Sequence, residues 1–215
     1  CVTSHRRSQA FVASFAANML QLSVYHHADF VGIKGDTNER ESLAYFISNM
    51  GSNKKECKNI YVPARHRDVL CSIFDKAKIN VGCIADEMAE LTEGKSVIEL
   101  NIMPERQYVD LEVKSIGTDF FQVLRKLTNN VRQNGVITAE LIVPTDMPFA
   151  TGWDEELNRL GFFFCGIKPL KDGSWALAYT NLLYQSFDFG KMQFFSDDTR
   201  ALCQYVKGEY EKTLL

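Results

Sequence analysis

Hydrophobic and polar residues alternate most regularly in two neighbouring runs, VIELNI at 97–102 and YVDLEVK at 108–114. Each run places an apolar side chain at every second position, which is the period of a strand with one buried and one solvated face. The turn between them, MPERQ, carries proline and polar residues. The pattern therefore predicts an antiparallel hairpin over 97–114.

Directly after this hairpin, the spacing of the apolar residues changes to that of a helix. Between 119 and 134 the apolar residues recur at intervals of three and four, on one face of a helix. These residues are Phe120, Leu124, Leu127 and Val131. Thr118 can cap the first turn and Gly135 follows the last turn, so both ends carry residue types that helix termini favour.

The remainder of the C-terminal half predicts one more short helix and three strands. VITAELIVPT at 136–145 is apolar almost throughout, which is typical of a strand buried on both faces. GWDEELNRLGF at 152–162 predicts a short helix closed by Gly161. FFFCGIKPL at 162–170 and WALAYTNLL at 175–183 predict two further strands.

The N-terminal part predicts a helix, two strands and a second helix. SQAFVASFAANML at 8–20 has Phe and Met four residues apart, which favours a helix, and the strand QLSVYHHADFVGI follows at 21–33. After the strand LAYFISN, Pro63 stands at the start of a predicted helix over 64–79.

Two passages of the chain match each other. SLAYFISNM at 42–50 and WALAYTNLL at 175–183 share Leu-Ala-Tyr, and a helix with Leu-Cys at its centre follows each of them. In the second passage Ser196 opens this helix. The repeated order predicts two related units, in which Tyr45 corresponds to Tyr179 and Cys71 to Cys203.

The predicted organisation is a partial first unit at 1–79, a connector at 80–95 and a complete unit at 96–215. Either the chain is a fragment whose first unit has lost its N-terminal half, or that unit is a half-copy that donates strands to the second. A half-unit leaves an open sheet edge, and open edges pair readily. We therefore expect it to dock on the second unit or on another chain, and to bury Phe11, Phe15 and Tyr25.

Composition excludes several classes of function. The chain has 215 residues, 46% of them hydrophobic, as in an ordinary globular protein. A net charge of −3 argues against nucleic acid or a membrane as a partner, because both require a basic face. No apolar run approaches the roughly 20 residues that span a bilayer. The six cysteines lack metal-type spacing, which favours reduced thiols in a cytoplasmic protein without a metal site.

The order of hairpin, long helix, strand, short helix ending in Leu-Gly-Phe and two strands resembles that of the GNAT superfamily of N-acetyltransferases. The segment most similar to the superfamily is 120–167. VTSHRRSQ at 2–9, followed by YVPARHR at 61–67, resembles bacterial proteins that carry tandem GNAT-like domains behind an ATP-binding domain of the anti-sigma-factor type. The resemblance implies a mixed α/β acyl-CoA N-acyltransferase fold of one and a half to two units.

The superfamily transfers an acetyl group from acetyl-coenzyme A to an amine, and it holds the cofactor's pyrophosphate on free N–H groups at the start of the long helix. The corresponding loop in this chain consists of Ser115, Ile116, Gly117 and Thr118. Gly117 suits a phosphate loop, but Asp119 in the first turn repels a pyrophosphate, and Phe121 adds bulk. Where the family often has a tyrosine that protonates the leaving thiolate, this chain has Leu157. The loop is therefore interpreted as degenerate, or as an ordinary helix cap.

Two basic clusters are candidates for binding a ligand or an anion. The first contains Arg6 and Arg7, next to His5, which is a weak candidate for a catalytic base. The second contains Arg65, His66 and Arg67. Cations in the first turn of a helix are disfavoured by the dipole unless an anion or an acidic partner surface lies there. Helix capping and solvated side chains are the alternative interpretation of both clusters.

Two functions from different classes follow. The first is a non-catalytic GNAT-like module that serves regulation or ligand sensing in a larger bacterial cytoplasmic protein, with a second copy or the upstream ATP-binding domain as its partner. The second is an acyl-CoA-dependent N-acetyltransferase whose site needs the half of the first unit that would precede Cys1. Acetyl-CoA is expected as a cofactor under the second function alone.

Overall fold

The computed structural model describes residues 1–26, 40–49, 58–85, 94–147, 150 and 152–215. The strands are β1 (Ala16–His26), β2 (Arg40–Ile47), β3 (Lys58–Val62), β4 (Val81–Ala85), β5 (Val97–Met103), β6 (Tyr108–Ser115), β7 (Thr138–Pro144), β8 (Phe163–Pro169) and β9 (Trp175–Asn181). The α-helices are α1 (Arg6–Ala10), α2 (Arg67–Ala77), α3 (Phe120–Gln133), α4 (Trp153–Arg159) and α5 (Asp197–Lys212). Single 3₁₀ turns lie at Ala64–His66, Pro104–Arg106 and Phe189–Lys191.

Seven strands form one mixed sheet in the order β2-β1-β8-β9-β7-β6-β5. Strands β6 and β7 are parallel and are joined through α3, whereas the other neighbouring pairs are antiparallel. Strands β3 and β4 form a separate parallel pair with α2 between them in the chain. The predicted mixed α/β class is therefore confirmed.

The C-terminal half has the predicted order of elements. In the β5–β6 hairpin Leu100 lies opposite Leu111, so the alternating apolar residues share a face as expected. All residues of β7 before its last position are buried, which confirms a strand covered on both faces. Strand β9 lies between β7 and β8, and Gly161 after α4 has φ +85°, a conformation that glycine adopts without strain.

The predicted helix over 8–20 is wrong except at its first three residues, Ser8, Gln9 and Ala10. Residues Arg6–Ala10 are helical, but the chain is already extended from Ala16 onwards. The apolar residues Ala16, Ala17, Met19, Leu20 and Leu22 are all buried, which is the pattern of a strand covered on both faces. Pairing with strands on either side outweighs the helix propensity of this alanine-rich run.

Strand β1, in the residues predicted as a first unit, pairs antiparallel with β8, and the division into two units stays a prediction. Met19 lies opposite Gly166, and the Asn18 side-chain amide donates a hydrogen bond to the Ile167 carbonyl at 2.5 Å. The expectation that the open edge docks on the second unit is thus confirmed. The expectation that Phe11 is buried is wrong, because its side chain is 91% exposed. Phe15 is half-buried, and the side chain of Tyr25 lies outside the described residues.

Strand β1 then bends over one face of the sheet. Ser23 has φ +53°, the register with β2 shifts between Gln21 and Tyr25, and the Thr138 hydroxyl donates to the Ser23 carbonyl at 3.3 Å. Leu141 of β7 pairs with Tyr179, whose hydroxyl reaches Asp154 of α4, so this row of side chains faces the helices. The neighbouring residues in β7 point to the opposite face, which β1 covers.

The segments predicted as repeats share their local pairing but differ in environment. Tyr45 lies opposite Met19 in the β1–β2 pair, and Tyr179 lies opposite Phe164 in the β8–β9 pair. Tyr45 is 42% exposed, however, whereas Tyr179 is 1% exposed. The repeat itself stays a prediction. Residues Val81–Ala85, in the predicted connector, form β4 and pair with β3 in the first unit.

Candidate functional site

The start of α3, where the sequence predicts a degenerate phosphate loop, is closed by the residues that precede β5. The Gly117 amide donates to the Ser96 hydroxyl at 2.8 Å, and the Ser96 amide donates to the Asp119 carboxylate at 2.8 Å. The Ser115 hydroxyl donates to the Lys95 carbonyl at 3.2 Å. This reciprocal arrangement occupies with protein groups the space at Gly117 that a bound phosphate would need.

Glycine at position 117 is required by close packing against the backbone. A Cβ at Gly117 would lie 2.0 Å from the Gly94 carbonyl oxygen, so a larger residue does not fit. Thr118 does not cap the helix, because Asp119 is the N-cap residue and its carboxylate bonds outside the helix to Ser96. The hydrogen bond from the Ser96 amide holds the pKa of Asp119 below its ordinary value. The lowered pKa favours the charged carboxylate at the turn where the sequence resemblance places a pyrophosphate.

Aromatic side chains fill the space behind this turn. Phe120 stacks on Trp153 of α4 with ring centroids 4.9 Å apart, and Phe121 meets the same indole edge-on at 5.3 Å. Leu157, which stands where the resemblance calls for a tyrosine, is 1% exposed and belongs to the same core. The residues around the start of α3 thus form a packed apolar core.

Strands β6 and β7 separate beyond the pair Glu112–Ile142. A cleft of about 200 Å³ lies at these ends. Its charged lining residues are Glu112, Asp146, Asp172 and Lys114. Three carboxylates and one ammonium give the cleft a negative balance, which disfavours an anionic ligand.

The first basic cluster lies at an exposed surface. His5 precedes α1, Arg6 and Arg7 are in its first turn, and all three side chains are exposed. Ser8 donates through its hydroxyl to the His5 carbonyl at 2.9 Å, which closes the turn locally. The assignment of these residues to a catalytic or binding role stays a prediction.

The second basic cluster divides between the interior and the surface. Arg67 is exposed, whereas Arg65 is half-buried and His66 is fully buried at 0% exposure. Arg65 forms an ion pair with Glu209 of α5, and its Nε lies 3.9 Å from the Asp154 carboxylate. Two carboxylates of the chain itself thus provide acidic partners for Arg65, and the ligand-binding role of the cluster stays a prediction.

His66 lies among aromatic rings at the junction of the two halves. Its ring stacks on Phe164 at 4.0 Å, Nδ1 lies 2.8 Å from the Tyr205 hydroxyl, and Nε2 lies 3.4 Å from Asp154. Burial raises the pKa of Asp154, but its contacts with His66, Tyr179 and Arg65 more than offset this, so the net pKa lies below the ordinary value. The cluster joins the segment before α2 to α4, α5 and β9.

A second polar cluster, partly buried and not predicted from the sequence, lies under the bend of β1; we call it the sheet-face cluster. It contains Gln21, Tyr45, Tyr108, Asp110, Glu140 and Lys168. The Glu140 carboxylate, 1% exposed, accepts from Lys168 at 2.9 Å and from the Gln21 amide at 3.1 Å. The Tyr108 hydroxyl accepts from Gln21 at 2.6 Å and donates to Asp110 at 2.8 Å.

The electrostatics of the sheet-face cluster are dominated by its two carboxylates. Burial and the charge of Glu140 raise the pKa of Asp110 above its ordinary value. Burial lowers the pKa of Lys168, but Glu140 and Asp110 outweigh this and raise it overall. One signal for this site is visible in the sequence: Glu140 interrupts a strand that is otherwise apolar, and a charge there needs a partner.

In the described ranges no three side chains of the metal-binding types come together, and no helix there is long and apolar enough to cross a bilayer. No protein-family model matches the chain, and no curated protein matches it in sequence. Among solved structures, the chain is similar to the ribosomal-protein-S18-alanine N-acetyltransferase from Escherichia coli, at 16% identity and a TM-score of 0.32. The match covers 43% of this chain and 64% of that chain, so this chain spans less than two thirds of that structure's length. The mixed α/β class follows from the strand order of the sheet itself.

Proposed function

We propose that this chain is a GNAT-like module that does not bind acetyl-CoA at the start of α3 and serves regulation or ligand sensing within a larger protein. The observation that carries the proposal is the closed turn at Gly117, where the Gly94 carbonyl and Ser96 occupy the cofactor's expected position. A bacterial cytoplasmic setting and an upstream ATP-binding domain belong to the same proposal.

The steric argument supports the proposal first. A phosphate at this turn would need the Gly117 amide, which already donates to Ser96, and it would need to displace residues 94–96. Those residues lead directly into β5, which pairs with β6 along its length. Moving them would disturb the edge of the sheet, because the hairpin register begins at Val97.

The electrostatic argument points the same way. A pyrophosphate bears about two negative charges, and like charges this close together repel one another even in water. Asp119 stands in the first turn with a lowered pKa, and three carboxylates line the cleft between β6 and β7. A working site would present N–H groups and cations at these places.

A second candidate function is acyl transfer, and the sheet-face cluster favours it. A partly buried carboxyl with a raised pKa beside a tyrosine is an arrangement that enzymes use for proton transfer. Asp110 and Tyr108 have this arrangement, 2.8 Å apart. In the present structure, however, Tyr108 is 1% exposed and bonded to Gln21, which supports a structural role.

The test is a turnover assay that follows release of the coenzyme A thiol from acetyl-CoA in the presence of a mixture of primary amines. The proposal predicts no release above the rate without protein. Turnover that is abolished by Asp110→Asn, which keeps an acceptor for Tyr108, would overturn the proposal in favour of acyl transfer.

A further inference from the structure

A pocket of about 260 Å³ lies at the opposite end of α3 from the degenerate loop. Three arginines line it: Arg125 and Arg132, seven residues apart on one face of α3, and Arg159 at the end of α4. No aspartate or glutamate is among its lining residues in the described part of the chain. Three positive charges thus meet at one place in a chain whose net charge is −3.

The floor of the pocket is fixed by a buried amide. Asn181 is 6% exposed; its amide donates to the Leu160 carbonyl at 2.8 Å and its side-chain oxygen accepts from the Leu183 amide at 2.8 Å. Leu183 itself has φ +55°, a strained conformation that this contact holds in place. The pocket wall is therefore preorganised, which lowers the entropic cost of binding.

The guanidinium groups of these arginines have few acidic partners among the described residues. Among the described residues, no carboxylate lies within ion-pair distance of Arg125 or Arg132. Arg132 lies over the ring of Tyr184 at 4.0 Å, and Arg159 forms an ion pair with the half-buried Glu156. Among the described residues, Arg125 and Arg132 thus line the pocket without a carboxylate partner, and a bound anion would relieve the repulsion between them.

We propose that this pocket binds the phosphoryl group of a small phosphorylated molecule. Planar guanidinium groups match phosphate oxygens through two parallel hydrogen bonds, which favours phosphate recognition by arginine. The volume holds a phosphoryl group with a small attached moiety, and it lies below the range of roughly 300 to 1,000 Å³ that is usual for drug-sized ligands. The site is independent of the function proposed above and stands whether or not acetyl-CoA binds at α3.

The test is calorimetric titration of the full chain with inorganic phosphate and, separately, with adenosine monophosphate and citrate at constant ionic strength. We expect saturable phosphate binding with a Kd on the order of 1 mM or tighter. The double variant Arg125→Gln, Arg132→Gln should weaken it at least tenfold. Lys126→Gln, on the same helix but outside the pocket, should change it less than twofold.

Each outcome decides the proposal. Tighter binding of the nucleotide than of phosphate would identify a phosphate ester as the ligand, and equal binding would identify the free anion. Tighter binding of citrate than of either would overturn the phosphoryl assignment. Absence of saturable binding at 10 mM phosphate, on the order of ten times the expected Kd, would overturn the site. Equal weakening by Lys126→Gln would show general charge attraction and would also overturn it. The unfolding midpoints of all variants should equal that of the parent because the side chains are exposed, and this excludes misfolding as the cause.

Discussion

Gly166→Ala should separate the two halves of the sheet, because Gly166 is the point where β8 meets β1. A Cβ at this position would lie 2.2 Å from the Asn18 carbonyl oxygen and 2.6 Å from the Met19 Cα. Both are backbone atoms, so no side-chain rotation relieves the contact. Gly166 also has φ +135°, where an alanine is strained.

The magnitude follows from two contributions. Backbone strain at such a φ costs about 1–3 kcal/mol. Moving β1 away costs in addition the hydrogen bond from Asn18 to Ile167, about 1 kcal/mol, and part of the burial of Met19. We therefore expect the free energy of unfolding to fall by about 3–5 kcal/mol, a large part of the roughly 5–15 kcal/mol that a domain possesses.

The assay is urea unfolding followed by tryptophan fluorescence, together with amide hydrogen exchange at Met19 and Leu20. Gly173→Ala is the matched control, because Gly173 has φ +82° and a Cβ there meets no atom within 4 Å. It should cost about 1–2 kcal/mol from strain alone and leave exchange in β1 unchanged. A loss of stability in Gly166→Ala no larger than that in Gly173→Ala would contradict the close contact between β1 and β8.

Three further substitutions test the buried charges by urea unfolding at several pH values. Asp154→Asn should lower the free energy of unfolding by about 2–4 kcal/mol at pH 7, since Arg65 loses a buried partner. Because the folded pKa of Asp154 is lowered, that loss should shrink as pH falls below 3.8; a pH-independent loss would contradict its ionic origin. Asp110→Asn should instead raise stability at pH 7 by about 1 kcal/mol or less, and the gain should vanish near pH 3, because the folded pKa is raised and the charged form is disfavoured; destabilisation at pH 7 would be the opposite result. Lys168→Met should cost about 3 kcal/mol by leaving Glu140 unpaired, and adding Glu140→Gln should recover most of it; no recovery would mean that packing of the lysine chain, and not its charge, is lost.

The C-terminal half of the fold could be predicted because the spacing of its apolar residues is visible within each short segment of the sequence. The alternation of apolar and polar residues in 97–114 predicts strands, and the four-residue spacing of apolar residues in α3 predicts a helix. Gly135 and Gly161 mark the ends of two helices. The spacing of Phe and Met in residues 8–20 does not separate a helix from a strand, because apolar residues four apart also fit a buried strand. Whether Met19 packs in a helix or pairs with Gly166 is decided by contacts nearly 150 residues away, which no local period encodes.

The candidate sites also differ in how far local sequence predicts them. Asp119 at the start of a helix is visible in the sequence, so the negative charge at this turn could be predicted, and the degenerate loop itself stays a prediction. The partners of Arg65 were not, because Asp154 and Glu209 come from helices far along the chain. The sheet-face cluster depends on the bend of β1 at Ser23, and the arginine pocket on the approach of α4 to α3. Both need the tertiary structure to be recognised.

The central claim, that the start of α3 does not hold acetyl-CoA, is tested most directly by isothermal titration calorimetry with acetyl-CoA. The comparison uses the parent chain, Asp119→Asn, which keeps an acceptor for the Ser96 amide but removes the charge, and Arg132→Gln. We predict no micromolar binding of acetyl-CoA that depends on position 119. Any weak binding to the parent chain should come from the cofactor's phosphates in the arginine pocket, so Arg132→Gln should abolish it. Micromolar affinity in the parent that survives Arg132→Gln and strengthens in Asp119→Asn would contradict the account.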